Sequence, residues 1–316
     1  MDFELNIIHW LQSLRNTFLD FFFEITTMLG EELVLIVILG YVYWCYDKLI
    51  GEKMGLIVFV SLSINNLIKI LVHRTRPYLV DSNIINLRPE TSQGYSFPSG
   101  HTQIASTNYF GLYFLIKKKW LLWIAIIVTI LVSISRMYIG AHYLTDILTG
   151  FVLGILIAYY ISQYYDKIRN INLVYIIIFI ITLLVFIVAL IYYYIANLNN
   201  GVLNALNLYL DVQLIAKELG TIGGFVLGIF YEKKYVDFNQ HKNIYKNIIR
   251  FILGIIIVVG GRSLLKYLFG LIINPNNLTN QEILSIFSLI FEYTRYFIIV
   301  FIGIGIYPKL FRYLKI

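Results

Sequence analysis

Long apolar runs separated by short polar connections are the feature that most constrains how this chain folds. They occur along nearly all of its 316 residues, of which 59% are hydrophobic and only 14% charged. A soluble domain usually carries about 25% charged residues. Because the mean hydropathy is +0.75 and many runs approach the roughly 20 residues of a spanning helix, the sequence predicts an all-α polytopic membrane protein.

Ten apolar segments are predicted to span the membrane. They are 16–30, 32–46, 54–72, 100–116, 120–136, 142–164, 172–197, 205–231, 247–273 and 284–308. The first is the weakest, because Asp20 and Glu24 interrupt it. The 205–231 segment has a polar first half. Several segments are short, so their boundaries are expected to shift by a few residues.

The first fourteen residues have the pattern of an amphipathic helix that lies in the membrane interface. Its apolar positions are Phe3, Leu5, Ile7, Ile8, Trp10, Leu11 and Leu14. A cleaved signal would begin with basic residues, whereas this segment has Asp2 and Glu4. The alternative is a frayed first turn of the helix that follows.

The charges of the connections orient the predicted spans. One set is basic: 47–53, 117–119, 165–170, 232–246 and 308–315. The opposite set has no lysine or arginine: 30–32, 197–201 and 274–282. Because basic connections remain in the cytoplasm, we expect a plasma-membrane protein with both termini cytoplasmic and the second set outside. The net charge of +7 then reflects orientation, and no nucleic-acid partner is expected.

One outer segment, 73–97, breaks this rule because it contains Arg74, Arg76 and Arg88. Anion binding would explain basic residues on the disfavoured side, and a tolerated exception is the alternative. Metal chemistry is not expected. Cys45 is the single cysteine, and the five histidines have no metal-ligand spacing.

Three polar clusters occur where predicted helices begin or end. In the first, Lys69 is followed seven positions later by Arg76-Pro77. The point charge of a lysine and the planar fork of an arginine both suit the oxygens of a phosphoryl group. The alternative is a snorkelling lysine near a solvated arginine.

The second cluster is Pro98-Ser99-Gly100-His101, directly before an apolar helix. Ser99 is suited to cap that helix, and Gly100 lets a ligand approach the backbone. Amides at a helix N-terminus bind anions without a side chain, and His101 would lie beside such an anion. A simple helix cap with a surface histidine is the alternative.

The third cluster contains Ser135-Arg136 at the end of one segment, then His142 and Asp146 at the start of the next. Residues four apart share a helix face, so Asp146 is expected beside His142. A carboxylate that orients a histidine is typical of nucleophilic catalysis. A polar pair at a helix end is the alternative.

Together the clusters supply three cations, backbone amides, two histidines and a carboxylate, all on the predicted outer face. The patterns K-x6-R-P, P-S-G-H and S-R-x5-H-x3-D resemble the three-part signature of the type 2 phosphatidic acid phosphatase superfamily. The resemblance covers roughly residues 15–165. It implies a six-helix phosphatase core within 1–170, and residues 171–316 then form a further membrane region of about four helices.

The resemblance also implies roles for the residues. His142 attacks phosphorus and forms a phosphohistidine, Asp146 orients His142, and His101 protonates the leaving oxygen and then activates water. Phosphate oxygens are bound by Lys69, Arg76, Ser99, Gly100 and Arg136. No metal or cofactor is expected.

The predicted function is a metal-independent hydrolase of a lipid phosphate or pyrophosphate, with undecaprenyl pyrophosphate as the leading substrate. Phosphatidic acid and phosphatidylglycerol phosphate remain open, as does phosphoryl transfer to another lipid. A non-enzymatic lipid binder or transporter is the other alternative. In the second half, Arg262 is expected to face protein, with Glu292 as its candidate partner.

Overall fold

A computed structural model of the chain describes residues 2–199, 202–272 and 281–316. The predicted outer connections 197–201 and 274–282 lie partly outside these ranges. The all-α prediction is confirmed, since the described residues form helices and no strand. The chain divides into two compact units: unit 1 contains Met1–Leu39 and Lys53–Lys167, and unit 2 contains Gly40–Glu52 and Ile168–Ile316.

Eight α-helices precede residue 165 in the part of the chain that the structure describes. They are α1 (Asp2–Ser13), α2 (Thr17–Met28), α3 (Glu32–Tyr41), α4 (Lys48–Val72), the short α5 (Pro77–Val80), α6 (Gly100–Ile116), α7 (Lys119–Tyr138) and α8 (Leu144–Tyr164). The later helices that the structure describes are α9 (Ile171–Asn199), α10 (Val202–Tyr231), α11 (Ile244–Ile272), α12 (Gln281–Phe301) and α13 (Leu310–Tyr313). Single π-helical turns extend α3, α10 and α12 at Val42–Tyr46, Glu232–Val236 and Ile302–Ile306.

Each predicted apolar segment coincides with a helix, but not every one is a separate span. Among the described residues, seven helices are long and apolar enough to cross a membrane, or eight if α2 and α3 form one bent span. The bend between α2 and the extended α3 is 48°. Separate spans at 16–30 and 32–46 were therefore a wrong prediction, because each helix alone is shorter than a bilayer of about 30 Å requires. The predicted span 100–116 is also not among these helices, since α6 has only 17 residues. The chain is a multi-pass integral membrane protein.

Helix α2 runs along one end of unit 1. Asp20, in its first turn, accepts a hydrogen bond from the Tyr138 hydroxyl at 2.6 Å. Thr27, in its last turn, accepts one from Arg136 at 3.1 Å. Because Arg136 and Tyr138 both belong to the last turn of α7, α2 begins and ends at the same end of the unit.

Helix α1 is a separate amphipathic helix, as predicted. Ile8 and Leu11 are buried, whereas Phe3 is 70% and Trp10 62% exposed. Asn16 caps α2 by accepting a hydrogen bond from the Leu19 amide, so α1 is not a frayed turn of the next helix. That its exposed apolar face lies in the membrane interface stays a prediction.

Helix α1 also lies at the end of unit 1 where the three motif clusters are found. Gln12 donates a hydrogen bond to the Tyr138 carbonyl at 3.0 Å, and His9 Nε2 lies 2.8 Å from Asp81. The expectation that the N-terminus and the motif residues lie on opposite sides of the membrane is therefore wrong. The error arose because α2 and α3 were counted as two crossings.

Close packing of α6 against α8 brings the second and third clusters together. A side chain at Gly150 would be 2.6 Å from the Ser99 carbonyl oxygen, and one at Gly154 would overlap Ser106. This G-x3-G spacing allows membrane helices to approach closely. At the N-terminal ends of α6 and α8, the Ser99 amide donates a hydrogen bond to the Asp146 carbonyl at 3.0 Å.

Glycines also pack the helices of unit 2. Side chains at Gly220 and Gly224 of α10 would overlap the backbone of α12 at Tyr293 and Phe297. Farther along the same face, Gly228 contacts Ile304 and Gly305. The two helices therefore approach backbone to backbone.

Arg262 faces protein, as predicted. Its guanidinium donates to the Tyr296 hydroxyl at 2.9 Å and lies over that ring. The candidate partner Glu292 forms an ion pair with Arg295, three residues away on the same helix. The contacts of Arg262 with the Tyr296 ring and hydroxyl reduce the cost of placing its charge in a membrane helix.

Candidate active site

His142 and Asp146 are adjacent and buried at the junction of α7 and α8. Gly140 turns the chain between these helices with a φ of +76°, a conformation that favours glycine. A side chain there would also be 2.6 Å from the Ile85 carbonyl oxygen. The Asp146 carboxylate accepts a hydrogen bond from the Tyr143 amide at 2.9 Å and lies 3.4 Å from His142 Nδ1. The predicted His–Asp contact is confirmed.

The other nitrogen of His142 faces a guanidinium. Arg76 Nη1 lies 3.2 Å from His142 Nε2. Because an arginine nitrogen is only a donor, Nε2 is the acceptor, and the ring proton is on Nδ1, toward Asp146. The lone pair of His142 therefore points to the side of the ring where the cations lie.

The carbonyls of one loop, residues 91–95, hold all three predicted phosphate-binding cations. Lys69 Nζ donates to the Tyr95 carbonyl at 2.9 Å. Arg76 donates to the carbonyls of residues 93 and 94, at 2.7 and 2.9 Å. Arg136 Nη2 is 3.4 Å from the Thr91 carbonyl. This loop orients the three cations relative to one another.

Ser99, Gly100 and His101 form the start of α6 as predicted. The Ser99 hydroxyl accepts from the Thr102 amide at 3.5 Å, which caps the helix. A side chain at Gly100 would meet only the Asn65 amide oxygen, at 3.5 Å. The space beside the Gly100 Cα is therefore nearly open.

The His142 imidazole is kept neutral by its surroundings. Burial lowers the pKa of His142, and the positive charges of Arg76, Arg136 and Lys69 lower it further. A neutral imidazole with its lone pair on Nε2 is the form that can attack an electrophile. Lys69 and His101 are also within electrostatic range of His142, so the structure brings all three clusters together.

The structure adds charged residues that the sequence did not assign to the site. Arg74 Nη1 lies 2.7 Å from the Asp146 carboxylate, and Nη2 lies 2.7 Å from Glu4. Arg88 pairs with Glu31 at 3.0 Å. These two arginines pair with carboxylates of the same chain, so that the segment 73–97 binds an anionic ligand stays a prediction. No local pattern reveals such pairs, because their partners lie about 60 or more residues away in sequence.

The part of the chain that the structure describes contains no group of three histidine, cysteine or acidic side chains placed to bind a metal ion. That the reaction needs no metal stays a prediction, since phosphate oxygens and a single carboxylate can also bind Mg²⁺.

Comparison with known proteins shows the family of this chain. The sequence pattern of the PAP2 superfamily matches residues 52–170, and that of the "PAP2 superfamily phosphatase, transmembrane extension" matches residues 216–316. The chain is 36% identical over 148 residues to phosphatidylglycerophosphatase B of Bacillus subtilis (strain 168). The aligned region covers 44% of this chain and 70% of that protein. The chain belongs to the PAP2 superfamily. This is the type 2 phosphatidic acid phosphatase superfamily predicted from the motifs, and that prediction is confirmed.

Two further similarities concern the phosphatase core. The undecaprenyl-diphosphatase of Sulfolobus acidocaldarius is 32% identical over 105 residues, which cover 33% of this chain and 50% of that protein. The crystal structure of the first transmembrane PAP2 type phosphatidylglycerolphosphate phosphatase from Bacillus subtilis has a TM-score of 0.46 at 30% identity, covering 54% of this chain and 87% of that one. From its family matches, this PAP2 protein is a membrane lipid phosphate phosphatase with a C-terminal transmembrane extension, and the predicted fold class is confirmed.

Proposed function

We propose that this PAP2 protein hydrolyses a lipid-borne phosphate or pyrophosphate through a phosphohistidine on His142, without a metal ion. The observation that carries the proposal is the position of the His142 ring. Its Nδ1 faces Asp146, and its Nε2 lies 3.2 Å from Arg76. A phosphoryl group bound by Arg76 would therefore meet the lone pair of His142.

In the first step, His142 Nε2 forms a bond to phosphorus and the bond to the leaving oxygen breaks. His101 gives its proton to that oxygen. Asp146 stabilises the positive charge that develops on the His142 ring. For a pyrophosphate substrate the leaving oxygen belongs to the lipid monophosphate, and for a monoester it belongs to the lipid alcohol.

In the second step, water attacks the phosphohistidine. His101, now neutral, takes a proton from the water, the phosphorus–nitrogen bond breaks, and inorganic phosphate leaves. In both steps the equatorial oxygens are bound by Lys69, Arg76 and Arg136, with the Ser99 hydroxyl and the Gly100 amide. Preorganised cations of this kind are the main source of rate enhancement in phosphoryl transfer.

Undecaprenyl pyrophosphate is the substrate we favour. Support comes from the similarity to an undecaprenyl-diphosphatase and from a site among membrane helices. The similarity to a phosphatidylglycerophosphatase makes phosphatidylglycerol phosphate the main competitor.

We place the protein in the plasma membrane with its active site at the extracytoplasmic face. The basic connections support this orientation, with the C-terminal segment 308–315 in the cytoplasm. Because α1 contacts the motif end of unit 1, this orientation would put the N-terminal helix on the outer surface instead of in the cytoplasm.

Phosphate release by the purified protein in detergent tests this proposal. Undecaprenyl pyrophosphate, phosphatidylglycerol phosphate and phosphatidic acid are compared, with a chelator present throughout. We expect release from at least one of them, fastest from the pyrophosphate, and loss of release in His142→Ala but not in the control His241→Ala. Full activity in His142→Ala, or activity that disappears with the chelator, would contradict the mechanism.

A further inference from the structure

The acid role of His101, which rests on the proposed function, requires an imidazole that carries a proton. Its surroundings are mainly positive, since Arg136 and Arg76 lie within electrostatic range of the ring. Neighbouring cations disfavour another positive charge. An acid at this position therefore needs a negative partner.

Glu31 is placed to be that partner. Its Oε1 lies 3.9 Å from His101 Nε2. That nitrogen is buried and makes no hydrogen bond with the residues that the structure describes. Hydrogen bonds of catalytic groups are often long before substrate binds.

Backbone packing and Arg88 hold Glu31 in place. A side chain at Gly30 would be 2.7 Å from the His101 carbonyl oxygen, so the α2–α3 connection is in direct contact with the start of α6. Arg88 Nη1 lies 3.0 Å from Glu31 and donates to the Glu24 carbonyl at 3.3 Å. Arg88 therefore holds the same carboxylate oxygen, Oε1, that lies nearest to His101.

We propose that Glu31 is the positioning residue of His101, as Asp146 is of His142. Glu31 accepts a hydrogen bond from His101 Nε2 and stabilises the imidazolium. His101 Nδ1 then gives its proton to the leaving oxygen and, as the neutral base, takes one from water. Arg88 acts on this pair only through Glu31.

Leaving groups of different acidity test this assignment. Two phosphate monoesters with a dodecyl chain are compared in single-turnover experiments, one with an alkyl alcohol and one with a nitrophenol as leaving group. A good leaving group departs without a proton, and general acid catalysis contributes about 10²-fold or more for a poor one. We expect Glu31→Gln to slow the alkyl ester about 10²-fold and the nitrophenyl ester less than about threefold.

Glu90→Gln is the matched control. Glu90 also pairs with Arg88, at 3.0 Å, but is largely exposed, so this variant should behave as the wild type on both esters. Equal losses on the two esters in Glu31→Gln, or no loss on either, would overturn the assignment. If Glu31→Gln does not fold, Glu31→Asp, with its shorter reach, should show the same dependence on leaving group. Activity in His142→Ala would instead refute the proposed function itself.

A second, independent set of contacts joins Asp146 to α1. Arg74 donates to the Asp146 carboxylate at 2.7 Å and to the Thr145 hydroxyl at 2.6 Å. Its other terminal nitrogen donates to Glu4 at 2.7 Å. Glu4 in turn accepts hydrogen bonds from the Thr145 amide and hydroxyl, at 2.9 and 2.8 Å.

From these contacts we infer that Arg74 and Glu4 are positioning residues for Asp146, again resting on the proposed function. Asp146 accepts from the Tyr143 amide through one oxygen and from Arg74 through the other. Removal of Arg74 frees the carboxylate to turn away from His142. The N-terminal helix thereby becomes part of the support of the nucleophile.

A double-mutant cycle distinguishes this role from a general structural one. We expect Arg74→Gln to lower kcat by about 10²-fold, the loss that a misplacement of about 1 Å can cause, with KM nearly unchanged. In an Asp146→Asn background the same change should lower kcat no further. The control is Arg15→Gln, which breaks a similar ion pair with Asp20 outside the site.

A loss that persists in full in the Asp146→Asn background, or no loss in either background, would overturn this role. Arg74→Lys, which retains a cation near both carboxylates, should recover part of the activity. It replaces Arg74→Gln in the cycle if that variant does not fold.

Discussion

Replacement of Asp146 by asparagine removes the negative charge beside the nucleophile while keeping the size of the side chain. The charge lies 3.4 Å from His142 Nδ1. With an effective dielectric constant of about 20, its attraction for a positive imidazole is about 5 kcal/mol. At about 1.4 kcal/mol for each factor of ten, the full interaction corresponds to roughly 10³- to 10⁴-fold in rate.

The Asp146 carboxylate also forms an ion pair with Arg74 at 2.7 Å, which weakens its attraction for the His142 ring. We therefore expect the lower end of this range of rates, a kcat about 10³-fold below that of the wild type. KM should change little, because Asp146 binds His142 and not the phosphate. The assay is inorganic phosphate release in detergent micelles, with thermal unfolding as the check that Asp146→Asn is folded. A folded variant that retains more than a tenth of the wild-type kcat would refute the electrostatic reasoning.

Three other predictions concern pH and packing. The pKa of His142 is held below its usual value of about 6.5, so the acid limb of kcat/KM should have its midpoint below that pH; a midpoint above it would contradict the lowered pKa. Gly154→Val should lower the free energy of unfolding by about 1–3 kcal/mol, so the variant should unfold at a lower temperature in detergent. Gly260→Ala should leave the unfolding temperature unchanged, because a Cβ atom there has no other atom within 4 Å. Glu232→Ala removes a fully buried carboxylate paired with a lysine and should cost about 3–5 kcal/mol, whereas the exposed Asp237→Ala should cost under about 1 kcal/mol; equal unfolding temperatures would refute this.

The sign of the pH effect on stability follows from the same His142 shift. Below its usual pKa the unfolded chain binds a proton that folded His142 does not. Stability therefore falls as the pH decreases through about 6.5. Replacement of His142 by alanine should make this part of the pH dependence weaker in thermal unfolding measured across acidic buffers.

The helices and the motif residues were predictable from the sequence because their signals are local. Apolar runs mark the helices, and Ser99 before α6 or His142 four residues before Asp146 lie within one helical turn of their partners. The G-x3-G spacing of Gly150 and Gly154 is also local, although its packing partner on α6 is not.

The residues that position the histidines were not predictable, because their contacts come from tertiary structure alone. Glu31 and Glu4 belong to segments that show only an acidic residue beside an apolar run. Arg74 and Arg88 were recognised as unusual for an outer loop, but their partners depend on how α1 and α2 fold back on α7. The same fold-back explains the misassigned N-terminus, since hydropathy cannot distinguish two short spans from one bent one.

Detection of the phosphorylated intermediate tests the central claim most directly. The protein is mixed with a ³²P-labelled lipid phosphate, stopped in alkali within one turnover, digested, and its labelled peptide identified by mass spectrometry. We expect an acid-labile, base-stable phosphate on His142, which accumulates further in His101→Gln when the substrate has a nitrophenol leaving group. Turnover without any protein-bound phosphate, or a label on a residue other than His142, would contradict the account.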